Sequence, residues 1–290
     1  MFKRLILFFA TNLLVVLTIT LILAVFKVGD ANTLTGLFVL CLVWGMVGAF
    51  ISLGLSRIMA KWFMGVKVVD PRQPGGYMAL LDMVHELAGR AKLPAMPQVG
   101  VYESPEVNAF ATGPTRSRAL VAVSTGLLRR MSPDQIEGVL GHEIAHIANG
   151  DMVTMTLIQG VVNAFVMFLA RVIAFALTQS VREESRRMVN WVVVMVLEMG
   201  LSLLGFIVVA WFSRRREFRA DQGGATFAGK AKMLGALQAL NTVYGQGEAV
   251  GKDRPTLATL KISGKPSGFL ALMSTHPPLE TRIARLQAQA

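Results

Sequence analysis

Charged residues are scarce in this sequence. Asp, Glu, Lys and Arg together make up 16% of its 290 residues, against about 25% in an ordinary soluble protein. Hydrophobic residues make up 53%, and the mean hydropathy is +0.52. Little charge is therefore available to cover a soluble surface, and the composition indicates an integral membrane protein.

Cysteine is almost absent, since Cys41 is the single example in the chain. One cysteine cannot form an intramolecular disulfide, so no oxidising compartment is implied. Cys41 also lies inside an apolar run, where a partner base for a thiol nucleophile is not expected. These two absences remove disulfide scaffolds and thiol enzymes from the candidate classes.

Acidic residues are few relative to basic ones, 18 against 29, which gives a net charge of +11. Such a balance is also typical of nucleic-acid-binding proteins. Here the basic residues cluster at the ends of apolar runs, so we expect no nucleic-acid partner. Under the positive-inside rule the clusters place both termini and the soluble part of the chain in the cytoplasm. They are Lys3 and Arg4; Arg57, Lys61 and Lys67; and Arg214, Arg215, Arg216 and Arg219.

Four apolar runs are long enough to cross a bilayer, whose hydrocarbon core is about 30 Å thick. They predict two transmembrane hairpins with the lipid bilayer as a permanent partner. The expected organisation is a first hairpin at 1–66, a soluble part at 67–151, a second hairpin at 152–212 and a second soluble part at 213–290. The four runs are Leu5–Phe26, Leu34–Leu55, Thr154–Leu177 and Met188–Phe212.

Two charged residues fall inside the second hairpin, Arg171 in the third run and Glu198 in the fourth. Charges at such depth are costly and usually face other helices or a wet cavity. They can pair with each other, or one or both can lie near an interface and extend towards water. The sequence leaves both arrangements open.

Three short β-prone segments come before the most informative helix of the chain: Gln98–Tyr102, Asn108–Ala111 and Arg118–Ser124. Turn residues separate them, and they predict a small antiparallel sheet. One of these strands can be an edge that accepts an extended peptide by strand addition. A purely structural sheet is equally compatible with the spacing.

The motif His142-Glu143-Ile144-Ala145-His146 carries the chemistry of the chain. Residues four apart share one face of a helix, so His142 and His146 can bind one metal ion. Glu143 lies beside them, where a general base for a metal-bound water belongs. The helix has an N-cap and first-turn proline at Ser132-Pro133 and a terminator at Asn149-Gly150.

A third ligand is expected from Glu217, which follows the fourth apolar run without a helix breaker. Together with the two histidines it gives a His₂Glu site that leaves one position for water. Asp221 lies four residues on, on the same helix face, and can accept the N–H of a ligating histidine. The small residues Ala220 and Gly224 permit a close approach to the first metal helix.

Three motifs together resemble the HtpX-type bacterial membrane zinc metallopeptidases, which are relatives of the CAAX prenyl proteases. The resemblance covers essentially the whole chain and implies an α+β integral membrane protein. We expect four transmembrane helices as two hairpins, with a zincin-like catalytic domain that contains the small sheet. The motifs are His142 to Asp151, Glu217-Phe218-Arg219-Ala220-Asp221 and Ser274-Thr275-His276-Pro277-Pro278.

The resemblance implies one zinc ion per chain, bound by His142, His146 and Glu217, with Glu143 as general base and later proton donor. It also implies that Asn108, Ala109, Phe110 and Ala111 form the edge strand that binds substrate. The expected setting is the bacterial inner membrane, with the catalytic domain facing the cytoplasm. The expected function is hydrolysis of misfolded or damaged membrane proteins in quality control and stress.

His276 is our candidate to stabilise the oxyanion, with helix capping or packing as the alternative and Arg282 as a weaker candidate. Two other functions remain open at this point. One is specific processing of membrane-associated or lipidated substrates, and the other is a non-proteolytic scaffold with structural zinc. The segment 245–268 is expected to be a flexible loop, either a lid or a plain surface loop.

Overall fold

The computed structural model describes residues 33–245 and 274–288 of the chain. The first predicted span, Leu5–Phe26, and almost all of the segment 245–268 lie outside the described residues. The described elements are, in chain order, α1 (Leu34–Phe63), β1 (Lys67–Val68), a short 3₁₀ helix (Gly75–Tyr77), α2 (Met78–Arg90), β2 (Gln98–Tyr102), β3 (Ala109–Thr112), β4 (Leu120–Ser124), α3 (Thr125–Arg130), α4 (Pro133–Asn149), α5 (Asp151–Thr178), α6 (Glu183–Ala228), α7 (Lys230–Gly245) and α8 (Leu279–Ala288).

The chain divides into two compact units, and both are discontinuous in sequence. Among the described residues, the first takes in those up to Ser52 together with Met155–Val209, and the second takes in Leu53–Thr154 with those from Ala210 onwards. In each unit an early segment therefore packs with a later one. The predicted division into hairpins at 1–66 and 152–212 and soluble parts at 67–151 and 213–290 stays a prediction.

Three helices of the described part are long and apolar enough to cross a membrane: α1, α5 and α6. Their most apolar windows have mean hydropathies of 2.3, 2.1 and 2.6, and at most 22% of each window is buried inside the protein. Apolar side chains that the protein leaves uncovered need lipid as their solvent. These helices correspond to the second, third and fourth apolar runs of the sequence.

Small residues and an ion pair contribute to the packing of the first unit among the described residues. A Cβ on Gly45 would lie 2.5 Å from the carbonyl oxygen of Gly160, so the glycine permits α1 and α5 to touch. Arg171 Nη1 donates to Glu198 Oε1 at 2.6 Å and to the carbonyl of Met167 at 2.9 Å. Of the two arrangements that the sequence left open, the structure shows the ion pair.

The sheet is mixed, and the expectation of an antiparallel sheet was wrong for its central pair. The strand order is β1-β2-β4-β3, with β2 parallel to β4 and the two outer pairs antiparallel. All five residues of β4 are buried, so this strand lies between two neighbours. The link after β2 therefore crosses to the far side of β4, held by hydrogen bonds from Gly126 N–H to Ser104 O and from Ser124 Oγ to Glu106 O.

Helix α4 is the central helix of the second unit, and its ends are those that the sequence predicts. Ser132 and Gln135 form a complete capping box, and Gly150 ends the helix in the left-handed conformation with φ +69°. Two helices pack against α4. One is α7, and the other is α2, which buries Leu80, Leu81, Val84 and Leu87.

Two helical glycines allow a matched test of this packing. A Cβ on Gly138 would lie 2.4 Å from the carbonyl oxygen of Lys232, whereas a Cβ on Gly89 meets nothing within 4 Å. Gly138→Ala should lower the free energy of unfolding by about 1–3 kcal/mol through overpacking. Gly89→Ala should raise it by up to about 1 kcal/mol through helix propensity. Thermal unfolding in detergent measures both, and equal effects would contradict the packing of α4 on α7.

Candidate metal centre

Helix α4 places His142 and His146 one turn apart on its buried face. Their Nε2 atoms lie 3.1 Å from each other, and both rings are at least nine-tenths buried. The spacing follows from the helix, since residues i and i+4 stand one above the other. Two imidazole nitrogens therefore converge on one point inside the protein.

Helix α6 brings Glu217 to the same point. Its Oε2 lies 3.4 Å from His142 Nε2, and its Oε1 lies 3.4 Å from His146 Nε2. The approach is close because the facing residues are small: a Cβ on Gly224 would lie 3.0 Å from the backbone nitrogen of His142, and one on Gly223 would lie 2.6 Å from Ala145 Cβ. Residues 71 positions apart in sequence thus share one buried site.

The three side chains fit a metal ion. Their ligand atoms all lie within 4.8 Å of one another. A tetrahedral zinc with bonds of about 2.0–2.1 Å requires donors roughly 3.3–3.4 Å apart, close to the separations of 3.1 and 3.4 Å found here. Glu217 Oε1 is also buried without a hydrogen-bond partner among the described residues, which is the expected state of an oxygen that faces a cation.

The outer nitrogen of each histidine meets a carboxylate. His142 Nδ1 lies 2.9 Å from Asp221 Oδ1, and His146 Nδ1 lies 2.6 Å from Asp151 Oδ2. A carboxylate at Nδ1 keeps the proton there and leaves the Nε2 lone pair for the metal. Asp221 was expected in this position, whereas no role was predicted for Asp151.

Arg282 of α8 neutralises Asp221. Its guanidinium is 1% exposed and donates from Nε and Nη2 to the two carboxylate oxygens of Asp221. Burial alone would raise the pKa of Asp221, but the adjacent guanidinium lowers that pKa to about 2. Arg282 therefore pairs with Asp221, the carboxylate that contacts the outer nitrogen of His142. This pairing was not predicted.

His276 contacts Glu217, with its Nδ1 2.8 Å from Oε2. Burial raises the pKa of Glu217, and His276 and His146 reverse that effect and hold the pKa well below its usual range. Burial likewise lowers the pKa of His146, while Glu217 and Asp151 raise it to about 9. The site thus stabilises the ionised carboxylate of Glu217 and, beside it, the protonated form of His146.

Glu143 lies between the histidines and strand β3. It is 5% exposed, and its Oε2 accepts a hydrogen bond of 2.8 Å from the N–H of Ala111. In the β3–β4 register Asn108 and Phe110 point their backbone groups at β4, and Ser124 N–H donates to Asn108 O. The backbone groups of Ala109 and Ala111 are therefore directed away from β4, at the edge of the sheet.

Comparison with known proteins identifies the family of this chain. The model of peptidase family M48 matches residues 78–290. The chain belongs to peptidase family M48. It is 49% identical to the protease HtpX homolog of Bacillus velezensis over the full length of both chains, and 47% identical to the homolog of Bacillus subtilis, again over both full lengths. Protease HtpX of Shewanella sp. (strain ANA-3) is 47% identical over 99% of this chain and 100% of its own.

Among solved structures, the chain resembles the crystal structure of S. mikatae Ste24p, with a TM-score of 0.65 at 19% sequence identity. The match covers 99% of this chain and 64% of that one, and shows the fold alone. Family membership, the His/His/Glu cluster and the apolar helices together make this M48 member a membrane-integral metallopeptidase.

The Asp221–Arg282 pair predicts a large loss of stability when Arg282 is removed. Arg282→Met leaves a buried carboxylate without its cation, which typically costs about 3–5 kcal/mol. Arg285→Met is the matched control on the same helix, because Arg285 is exposed and stacks on Phe218; its loss should cost less than about 1 kcal/mol. Thermal unfolding of both variants in detergent makes the comparison. Equal stabilities would contradict the role of the pair.

Proposed function

We propose that this M48 peptidase is a zinc-dependent endopeptidase that hydrolyses membrane proteins, with one zinc ion per chain. The observation that carries the proposal is the buried triad of His142, His146 and Glu217, in which Glu217 Oε1 has no hydrogen-bond partner among the described residues. The donor set of two imidazoles and one carboxylate is a zinc set that leaves a position for water or substrate.

Bound zinc would supply a water molecule of lowered pKa and polarise the scissile carbonyl. The chain's own residues do the rest. Glu143 accepts the proton of the attacking water and then transfers it to the leaving amine nitrogen. Its carboxylate is already oriented, because Ala111 N–H holds one oxygen at 2.8 Å.

His276 has two parts in the proposal. Its Nδ1 steadies Glu217 at 2.8 Å, which keeps that carboxylate turned towards the histidines. Its other ring nitrogen is our candidate to stabilise the oxyanion that forms on the substrate. Asp221 orients His142 in turn.

Strand β3 supplies the substrate-binding edge. Asn108 to Ala111 run beside Glu143, and the outward backbone groups of Ala109 can pair with an extended peptide. Such pairing recognises the backbone of the substrate and not its side chains, which is expected of a protease with broad specificity. Residues 67–151 and 213–290 would then form one zincin-like catalytic domain.

Membrane proteins are the proposed substrates because the peptidase is itself integral to a membrane. One continuous helix, α6, carries both an apolar run and Glu217. The positive clusters at the ends of the apolar runs support a bacterial inner-membrane location with the catalytic domain in the cytoplasm. Removal of misfolded or damaged proteins, as the resemblance to HtpX-type enzymes suggests, is the physiological role we propose.

The proposed chemistry predicts that metal and turnover separate in two variants. Glu143→Gln should retain one zinc per chain and lose about 10²–10⁴-fold in cleavage rate, because the base is lost and the ligands are kept. Glu217→Ala should lose the zinc itself. Metal analysis and casein cleavage by detergent-purified protein measure both effects, and chelation followed by zinc should remove and restore wild-type cleavage.

Glu86→Gln is the control for these variants, since Glu86 is an exposed carboxylate that pairs with Arg90 on α2. It should behave as wild type in both assays. Cleavage by Glu143→Gln at the wild-type rate would overturn the role of Glu143. Stoichiometric zinc in a wild type that cleaves no polypeptide would favour the scaffold or specific-processing alternatives.

The edge-strand proposal predicts a backbone effect at Ala109. Ala109→Pro removes an N–H that points away from β4, so the sheet keeps its own hydrogen bonds. We expect at least a tenfold lower kcat/KM on polypeptides with zinc content unchanged. Because Ala109 is 1% exposed, the added ring should also lower the thermal stability somewhat, and thermal unfolding measures that loss separately. Ala109→Gly keeps the N–H and should lose much less. Equal kcat/KM in the two variants would remove strand addition at Ala109 from the proposal.

A further inference from the structure

We infer that Asp151 is a positioning residue of the metal centre: it fixes the ring of His146 so that Nε2 faces the metal. The inference rests on the proposed zinc site and adds a residue for which no role was predicted from the sequence. It concerns how tightly the site holds its metal, not the chemistry that the metal supports.

The turn between α4 and α5 puts Asp151 in place. Gly150 leaves α4 with φ +69°, a conformation that favours glycine, and Asp151 follows as the first residue of α5. The reversal directs the Asp151 side chain back towards the last turn of α4. Asp151 is 1% exposed there, and its Oδ2 lies 2.6 Å from His146 Nδ1.

A first-turn acid of a helix commonly has a different explanation, since it stabilises the positive end of the helix dipole. That role alone requires neither burial nor a histidine partner. Within the described residues, the close contacts of the carboxylate are His146 and, on Oδ1, Arg219 Nη2 at 3.7 Å. The main contact of the Asp151 carboxylate is thus the ligand histidine His146.

The two histidines are supported unequally. Asp221, which contacts His142, accepts two hydrogen bonds from the buried Arg282. The arginine near Asp151 is Arg219, and its side chain is 64% exposed. Asp151 therefore holds His146 with little help from a buried cation. Since a carboxylate at Nδ1 fixes the tautomer and increases the basicity of the ligand nitrogen, zinc affinity should depend strongly on Asp151.

The test measures the zinc dissociation constant by competition with a chelator, on full-length protein in detergent. Asp151→Ala should weaken zinc binding about 10–100-fold. Asp151→Asn should fall between Ala and wild type, because the amide oxygen still accepts the Nδ1 proton but carries no charge. The cobalt-substituted proteins should show a shifted visible spectrum in the same order. Asp134→Asn, the same change at an exposed position of α4, should match wild type.

The outcomes of this test distinguish a failure of the inference from a failure of the proposed function. Zinc affinities of Asp151→Asn and Asp151→Ala equal to wild type would overturn it. So would an affinity loss matched by an equal loss of thermal stability in the metal-free protein, because that result indicates a structural role. Should Asp151→Ala fail to fold, the isosteric Asp151→Asn carries the test. A wild type that binds no zinc refutes the proposed function itself. Loss of zinc by Glu217→Ala, together with wild-type zinc affinity in both Asp151 variants, refutes the inference alone.

Discussion

The burial of Glu217 is the constraint on which the functional part of this protein depends. A carboxylate without water must be compensated by hydrogen bonds or positive charge, since its desolvation is costly. One oxygen of Glu217 contacts His276, and the other faces His146 with no hydrogen bond among the described residues. The surrounding side chains are arranged as a consequence: histidines towards the centre, carboxylates behind the histidines, and Arg282 behind one of those carboxylates.

Helix packing makes this arrangement possible. Glycines of α4 and α6 stand at several places where α4, α6 and α7 touch, so backbone comes close to backbone there. Gly141 and Gly138 of α4 face α6 and α7, and Gly223 and Gly224 of α6 face α4. A larger residue at these places would separate the helices and draw Glu217 away from the histidines. The small residues thus set the size of the site as much as the ligands do.

Much of this site is predictable from local rules. The helix ends at Ser132 and Gly150, the pairing of His142 with His146, and the shared face of Glu217 and Asp221 all depend on residues within a few positions of one another. A helix fixes such relations whatever surrounds it. The mostly helical fold and the three apolar helices of the described part also follow from local composition.

The features that escaped prediction depend on contacts between distant segments. The completely buried strand β4 lies between β2 and β3 in the sheet. The turn residues between the strands give no indication of this order. The partner of Arg282 lies 61 positions away in sequence, and the role of Asp151 needs the direction in which Gly150 turns the chain. An acid directly after a helix-ending glycine, five residues past a ligand histidine, was the one available signal for Asp151.

Because α4, α6 and α8 all contribute to the centre, its parts are made at different times during translation. His142 is synthesised 75 residues before Glu217 and 140 residues before Arg282. Until the last helix is synthesised, Asp221 has no buried cation, and the metal site lacks its full support. A chain that ends before α8 would therefore lack the guanidinium that compensates the buried carboxylate of Asp221.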